Sequence, residues 1–107
     1  MKTVRYQKLV RDKIPQIIRK SGKEPVFAAV SREEALDYLA KKLQEEAAEY
    51  AASREAEELA DVLEVIRAIA AESGVAMEEI EKIRARKEQE RGGFADRIVL
   101  EQVNIPE

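Results

Sequence analysis

The acidic side chains of one central stretch are the residues of this chain best suited to chemistry. Between residues 45 and 64 the sequence holds eight carboxylates and a single base. Within that run Glu46 and Glu49 are three residues apart, and so are Glu58 and Asp61. On a helix this spacing projects both carboxylates of a pair from one face, so that each pair can bind one cation together.

The residue types that are missing narrow the chemistry further. The chain has no cysteine and no histidine, which excludes disulfides, thiolate or imidazole zinc sites, Ser-His nucleophile systems and an imidazole base. Any reaction must therefore use carboxylates, amines, guanidinium groups and hydroxyls. Ligands that are all oxygen favour Mg²⁺, with Mn²⁺ as a second choice, and the lack of His argues against a Glu-x-x-His di-iron bundle.

The helical wheel gives the sharper reason to expect a cation. With Leu59 as the reference position, Glu58 falls inside the apolar stripe of its helix and Asp61 falls at the border. On the preceding helix Glu46 lies close to Leu39 and flanks the core stripe. A buried and unpaired carboxylate is costly, so this arrangement requires cations or protonation. The alternative is that the acids line solvated faces of salt-bridged helices.

The two acidic pairs can meet only if the chain reverses between them. In one straight helix over residues 31–72 the pairs would lie roughly 18 Å apart, whereas a magnesium site needs oxygens at about 2.1 Å. The segment Tyr50–Ala56 is therefore predicted to reverse and to form an antiparallel helix hairpin. Ser31 and Glu34 form a capping-box pattern at the start of the first long helix.

The rest of the chain predicts an all-α fold, a helical bundle built on this long antiparallel hairpin with short extended terminal segments. A short helix follows Asp12 as N-cap, and further helices run from about Ala56 to Glu72 and from about Met77 to Glu90. The last residues, from Phe94 onward, are expected to lie extended against the bundle. On the second long helix the predicted inward residues are Leu59, Val62, Leu63, Ile66, Ile69 and Ala70.

The length of the chain and the distribution of its charges limit the number of domains and the kind of ligand. A chain of 107 residues is expected to be one domain, 1–107, and it has no run apolar enough for a membrane span and no visible secretory signal, so we expect a cytoplasmic protein. Residues 1–23 hold eight bases and one acid, the reverse of residues 45–64. This segregation is either internal complementarity or the two halves of a site for a metal-bound polyanion.

The motifs together resemble a known family. Glu45-Glu46-x-x-Glu49 followed by Glu58-x-x-Asp61 is similar to the EExxE and ExxD signature of the all-α nucleoside triphosphate pyrophosphohydrolase (MazG-like) superfamily. The segments "KLVRDKIPQII", "EELADVLEVI" and "RGGF" resemble its small single-domain house-cleaning or phosphoribosyl-ATP pyrophosphohydrolase-like branch. The similarity covers Lys8 to about Leu100. The turn between the acidic motifs is shorter than in many members of the family.

The resemblance implies hydrolysis of a nucleoside triphosphate between the α and β phosphorus atoms, giving a monophosphate and pyrophosphate. It implies that Glu46, Glu49, Glu58 and Asp61 hold Mg²⁺, and that Glu45 is an auxiliary ligand or orients the attacking water. Such chemistry needs no histidine and no covalent nucleophile, because the metal ion acidifies water and neutralises phosphate charge.

Basic and glycine residues at both ends of the chain are candidates for the substrate. The triphosphate candidates are Lys8, Arg11, Lys13, Lys87, Arg91 and Arg97. Gly92 and Gly93 would let the backbone approach an anion, and Phe94 would stack on a base. The alternatives stay open: the glycines end a helix, Phe94 plugs the core, and each single base is solvated.

Three functions of different classes remain at the level of sequence. The first is the pyrophosphohydrolase, which we expect to be a homo-oligomer, dimer or tetramer, because one small chain encloses a nucleoside poorly. The second is a non-catalytic helical interaction module whose basic N-terminal segment binds an acidic partner. Nucleic-acid binding is disfavoured, since the net charge is -3 and aromatic residues are few.

Overall fold

The computed structural model describes residues 2–107. Within that range there are four helices and no strand: α1 (Ile14–Lys20), α2 (Arg32–Ser53), α3 (Ala56–Ser73) and α4 (Met77–Arg91). The prediction of an all-α chain is confirmed for these residues. None of the helices described there is both long and apolar enough to cross a lipid bilayer.

The first helix begins one residue later than the sequence predicts. Its N-cap is Lys13 and not Asp12, and no side chain caps it. The N–H of Ile14 instead donates to the carbonyl of Arg11 at 3.0 Å, so that Asp12 and Lys13 form a turn that leads into the helix. Pro15 lies in the first helical turn, where its missing N–H is tolerated.

The start of α2 is stabilised by the side chains that the capping-box pattern predicts. Ser31 is the N-cap, and its hydroxyl accepts a hydrogen bond from the backbone N–H of Glu34 at 3.2 Å. The same hydroxyl donates to the Glu34 carboxylate at 3.0 Å. The serine therefore satisfies one of the amides that a helix start leaves without a partner.

The link between α2 and α3 consists of only Arg54 and Glu55. Arg54 adopts a left-handed conformation with φ of 60°, and its N–H donates to the carbonyl of Tyr50 at 2.7 Å. The two long helices pack against each other. At the far end of the pair the guanidinium of Arg32 donates to the carbonyl of Glu72, so α2 and α3 run in opposite directions and their acidic motifs face one another.

The packed surface between α2 and α3 is narrow. Leu39 on α2 and Val65 and Ala70 on α3 are buried. The prediction that Leu59 and Leu63 point inward is wrong for this chain, because these side chains are 52% and 53% exposed. The apolar stripe of α3 spans roughly 160° of the helix, which is wider than the surface that one neighbouring helix covers.

The chain divides into two compact units, the first ending at Val75 and the second being Ala76–Glu107. The second unit consists of α4 and a following segment without helix or strand, and no residue in it is buried. On α4 the guanidinium of Arg84 forms ion pairs with Glu81 at 2.6 Å and Glu88 at 2.8 Å. The single domain and the extended packing of the terminal segment stay predictions.

Candidate metal centre

Three carboxylates from the two long helices meet on the packed faces of α2 and α3. Glu46 comes from α2, and Glu58 and Asp61 come from α3, where they are one helical turn apart. One carboxylate oxygen of each lies within 4.8 Å of the other two. Ligand oxygens about 2.1 Å from a six-coordinate Mg²⁺ are about 3 to 4 Å from one another, so small side-chain movements would bring these three around one ion.

Glu46 is the buried member of the group. The residue is only 8% exposed, and its Oε2 atom has no hydrogen-bond partner. Its Oε1 atom lies 3.6 Å from the ammonium of Lys42, one turn earlier on α2. Burial raises the pKa of Glu46, and the nearby carboxylates of Glu49 and Asp61 raise the pKa further, whereas Lys42 lowers it. The site therefore contains a carboxylate oxygen that lacks a partner and suits a divalent cation.

The other two acids of the EExxE motif stand at the edge of this group. Glu49 is exposed and is not one of the three converging carboxylates, although it is close enough to Glu46 to affect its pKa. Glu45 is half-buried, and its Oε1 atom accepts a hydrogen bond from Lys8 at 3.3 Å. The structure thus brings three of the four predicted ligands together and leaves Glu49 beside them.

Two of the predicted phosphate ligands from the N-terminal segment reach the same place. Arg11 donates from Nη2 to Oδ1 of Asp61 at 2.9 Å, and Lys8 forms the ion pair with Glu45. Both pairs are well exposed to solvent, so each contributes little to stability. Lys13 is exposed and serves as the N-cap of α1. The N-terminal segment therefore supplies cations directly at the acidic group.

The remaining predicted substrate residues belong to the second unit. All of them are exposed, and Phe94 is 97% exposed. Gly92 caps the end of α4 with φ of 82°, in agreement with the interpretation that it ends a helix. These residues are Lys87, Arg91, Gly92, Gly93, Phe94 and Arg97. Their part in substrate binding stays a prediction.

Sequence reasoning missed the lysines that precede the acids on α2. Lys42 is four residues before Glu46, and Lys41 is four residues before Glu45, so each pair shares one face of the helix. That spacing was the signal that could have found them. The hydroxyl of Tyr38, one turn before Lys42 on α2, accepts a hydrogen bond from the Gln7 amide at 3.0 Å.

Comparison of the chain with protein-family models, curated proteins and solved structures yields no match. The resemblance to the all-α pyrophosphohydrolases is therefore carried by the motif residues alone, and it stays a prediction.

Proposed function

We propose that this protein is a Mg²⁺-dependent nucleoside triphosphate pyrophosphohydrolase. It hydrolyses the anhydride between the α and β phosphorus atoms and releases a nucleoside monophosphate and pyrophosphate. The candidate substrates are standard, non-standard and phosphoribosyl nucleotides. The scaffold is a MazG-like helical bundle around the α2–α3 pair.

One observation carries the proposal: three carboxylates from two helices converge, and the buried one has an oxygen without a partner. Clusters of exposed acids are common in proteins that bind no metal, but a buried carboxylate beside like charges raises the free energy of the folded state. A divalent cation would remove that cost. The donor set is entirely oxygen, which suits Mg²⁺ and also Mn²⁺.

In this proposal the acids and the bases have separate tasks. Glu46, Glu58 and Asp61 hold the metal ion, with Glu49 as a fourth ligand after a side-chain movement. When bound, Mg²⁺ neutralises phosphate charge and acidifies water. Glu45 orients the attacking water beside this group.

The reaction needs only water as the second substrate. The water oxygen forms a new bond to the α phosphorus and releases a proton to the solvent. The bond between the α phosphorus and the bridging oxygen breaks, and the displaced pyrophosphate carries away the bonding electron pair. Arg11 and Lys8 neutralise the phosphate oxygens once they exchange their carboxylate partners for substrate, since a guanidinium or ammonium binds phosphate as readily as carboxylate.

The interaction module is the alternative, with the basic N-terminal segment binding an acidic partner. The internal ion pairs of Lys8 and Arg11 favour the enzyme, because they direct these two bases to the acidic group of the same chain. A cytoplasmic location and the absence of a nucleic-acid partner stay predictions.

We further propose that the chain forms a homo-oligomer, a dimer or tetramer. Among the described residues the only buried apolar ones are Leu39, Val65 and Ala70, so one copy of the chain has a small core. A standard interface removes about 800 Å² from each partner. The exposed Leu59 and Leu63, one turn apart on α3, give an apolar surface for such contact.

The proposal is tested by incubating the protein with a panel of nucleoside triphosphates and Mg²⁺ and measuring pyrophosphate and orthophosphate separately. We expect pyrophosphate as the first product, and loss of at least about 100-fold in rate in Glu58→Gln, because a metal ligand is removed. The matched control is Glu64→Gln, which removes one exposed charge from the same helix. Orthophosphate as the first product, or no turnover of any nucleotide, would contradict the proposal.

A further inference from the structure

An open cleft of about 270 Å³ lies between the N-terminal segment and α2. Tyr6, Gln7 and Lys8 line one side, and Tyr38 and Lys41 line the other. The hydrogen bond from Gln7 to the Tyr38 hydroxyl joins the two sides. Small-molecule sites usually measure about 300–1,000 Å³, so this cleft is large enough for part of a nucleotide.

The charge of the cleft selects an anion. Its lining includes three lysines, Lys8, Lys41 and Lys42, and one acid, Glu45. Three ammonium groups around one small space create a positive potential that attracts a ligand with several negative charges. Lysine is a common phosphate ligand, because its compact ammonium group carries three donors.

Neither aromatic residue of the cleft offers a good stacking surface, which favours phosphate over a nucleobase. The Tyr38 hydroxyl accepts the Gln7 hydrogen bond, and the ammonium of Lys41 lies 5.9 Å from the centroid of the Tyr38 ring. A base stacked on Tyr38 would have to displace that cation. The other ring, that of Tyr6, is 70% exposed and gives a base little enclosure.

The cleft and the carboxylate group share a boundary. Lys42 lines the cleft, and its Nζ atom lies 3.6 Å from Oε1 of Glu46. Lys8 also lines the cleft, and its Nζ atom lies 3.3 Å from Oε1 of Glu45. A ligand that extends from the carboxylates along α2 toward its N-terminus therefore enters the cleft within a few ångströms.

From this placement we infer that the cleft is a polyphosphate subsite, in which Lys8, Lys41 and Lys42 bind the β- and γ-phosphates of the nucleotide. The inference rests on the proposed function and adds Lys41 and Lys42 to the substrate residues. Lys42 now pairs with Glu46, and its ammonium would be free for phosphate if Glu46 held a metal ion instead.

The inference is tested by titrating the protein with inorganic triphosphate in excess Mg²⁺ by calorimetry, without any nucleotide. We expect binding by the wild-type protein and a loss of about tenfold in affinity in Lys41→Gln/Lys42→Gln, since two charge-assisted contacts are removed. The control, Lys20→Gln/Lys23→Gln, removes two exposed lysines outside the cleft and should stay within about twofold. Adenosine should neither bind in the cleft nor displace the triphosphate.

A second variant guards against loss of folding. Lys41 is exposed and forms no ion pair within residues 2–107, so Lys41→Gln alone should fold, and its affinity should fall about threefold. Lys41→Arg should restore the affinity. Equal triphosphate affinity of the wild-type protein and the two cleft variants, Lys41→Gln and Lys41→Gln/Lys42→Gln, would overturn the inference. Displacement of triphosphate by adenosine, or no binding of triphosphate, would also overturn it.

The outcomes separate this inference from the proposed function. If nucleotides yield pyrophosphate but the lysine variants bind triphosphate normally, the proposed enzyme activity is supported and the cleft is not its phosphate subsite. If the lysines bind triphosphate but no nucleotide is hydrolysed, the phosphate subsite is supported and the proposed pyrophosphohydrolase activity is contradicted.

Discussion

At the scale of single residues, Glu46 is the unusual feature of this protein. Its carboxylate is buried, has one oxygen without a partner and stands near the carboxylates of Glu49, Glu58 and Asp61. Only Lys42 offers it a cation within 4 Å among the described residues. A carboxylate that is buried beside other carboxylates, with one monovalent cation near it, raises the free energy of the folded protein unless a divalent cation joins it.

Replacement of Glu46 by Gln should therefore stabilise the metal-free protein and remove the stabilisation that a bound metal ion gives. In metal-free protein at neutral pH we expect the melting temperature to rise by roughly 2–4 °C, because a neutral amide removes the charge repulsion. In the wild-type protein Mg²⁺ or Mn²⁺ should raise the melting temperature by binding to the native state, and the variant should lose that shift. Glu64→Gln, an exposed acid on α3, should keep it.

The pH dependence of this difference follows from the direction of the pKa shift. The pKa of Glu46 is raised in the folded protein above its ordinary value of 4.5. A raised carboxyl pKa favours the folded state at low pH, and this contribution is lost as the pH rises through the folded pKa. The difference in melting temperature between the wild-type protein and Glu46→Gln should thus be smaller at about pH 4 than at neutral pH. An equal difference in melting temperature at the two pH values would contradict this account.

Loss of the Arg11 charge should strengthen the binding of a metal ion and weaken the binding of the nucleotide. Without substrate its guanidinium neutralises Asp61, so Arg11→Gln should raise the affinity for Mn²⁺ alone by about two- to fivefold, the range of an exposed ion pair. The same change should raise the KM for nucleotide by about tenfold, because a phosphate contact is lost. Arg5→Gln, an exposed base of the same segment, is the control. Unchanged Mn²⁺ affinity in calorimetry would rule out this role.

At the scale of elements, contacts at the ends of α2 and α3 fix how the two helices lie against each other. The N-terminal end of α2 carries the Ser31 cap, and Arg32 bridges to the last turn of α3. Gly74 ends α3 in a left-handed conformation with φ of 73°. This conformation costs residues other than glycine about 1 kcal/mol.

Gly74→Ala should consequently destabilise the protein by about 1 kcal/mol, with a fall of roughly 4–8 °C in melting temperature. A Cβ at this position would lie 3.5 Å from Nη2 of Arg32, an ordinary contact distance, so the backbone conformation is the cause. Gly93→Ala is the matched control, because Gly93 has no positive φ and a Cβ there meets nothing within 4 Å. Equal melting of the two variants would refute the argument.

At the scale of the whole molecule, the chain buries little for its length. Leu39, Val65 and Ala70 are its buried apolar residues within the described range, while many large apolar side chains are exposed. Burial of apolar area stabilises proteins by about 25 cal/mol per Å². In the proposed oligomer a second copy of the chain supplies the apolar area that is lacking.

The oligomer can be tested directly by sedimentation. The wild-type protein should sediment as a dimer or tetramer, and Leu59→Glu/Leu63→Glu should shift it toward smaller species, since charges would be buried in the interface. Glu57→Gln/Glu64→Gln changes two exposed acids of the same helix and should leave the assembly intact. A wild-type monomer at all concentrations would contradict the proposed assembly.

The elements themselves were largely readable from the sequence. Local signals act over a few residues, so the capping box at Ser31 fixes the start of α2, and the spacing of apolar residues fixes α3 and α4 within one or two positions. The end of α2 was less well predicted, because the helix continues to Ser53 inside the segment expected to reverse. The wheel also placed Glu46 against the core. It could not tell how much of the α3 stripe is covered, because that depends on the number of neighbouring helices, and so Leu59 and Leu63 were misplaced.

By itself, then, the sequence determined the helices, the oxygen-only set of candidate metal ligands and the acids that compete with the core, since each depends on residue type and local spacing. Only the tertiary structure decided which cations meet those acids. Lys8 and Glu45 are 37 residues apart, and Arg11 and Asp61 are 50 residues apart. No periodicity reports contacts over such distances, because they arise only after the chain reverses between α2 and α3 and its N-terminal segment returns across both helices.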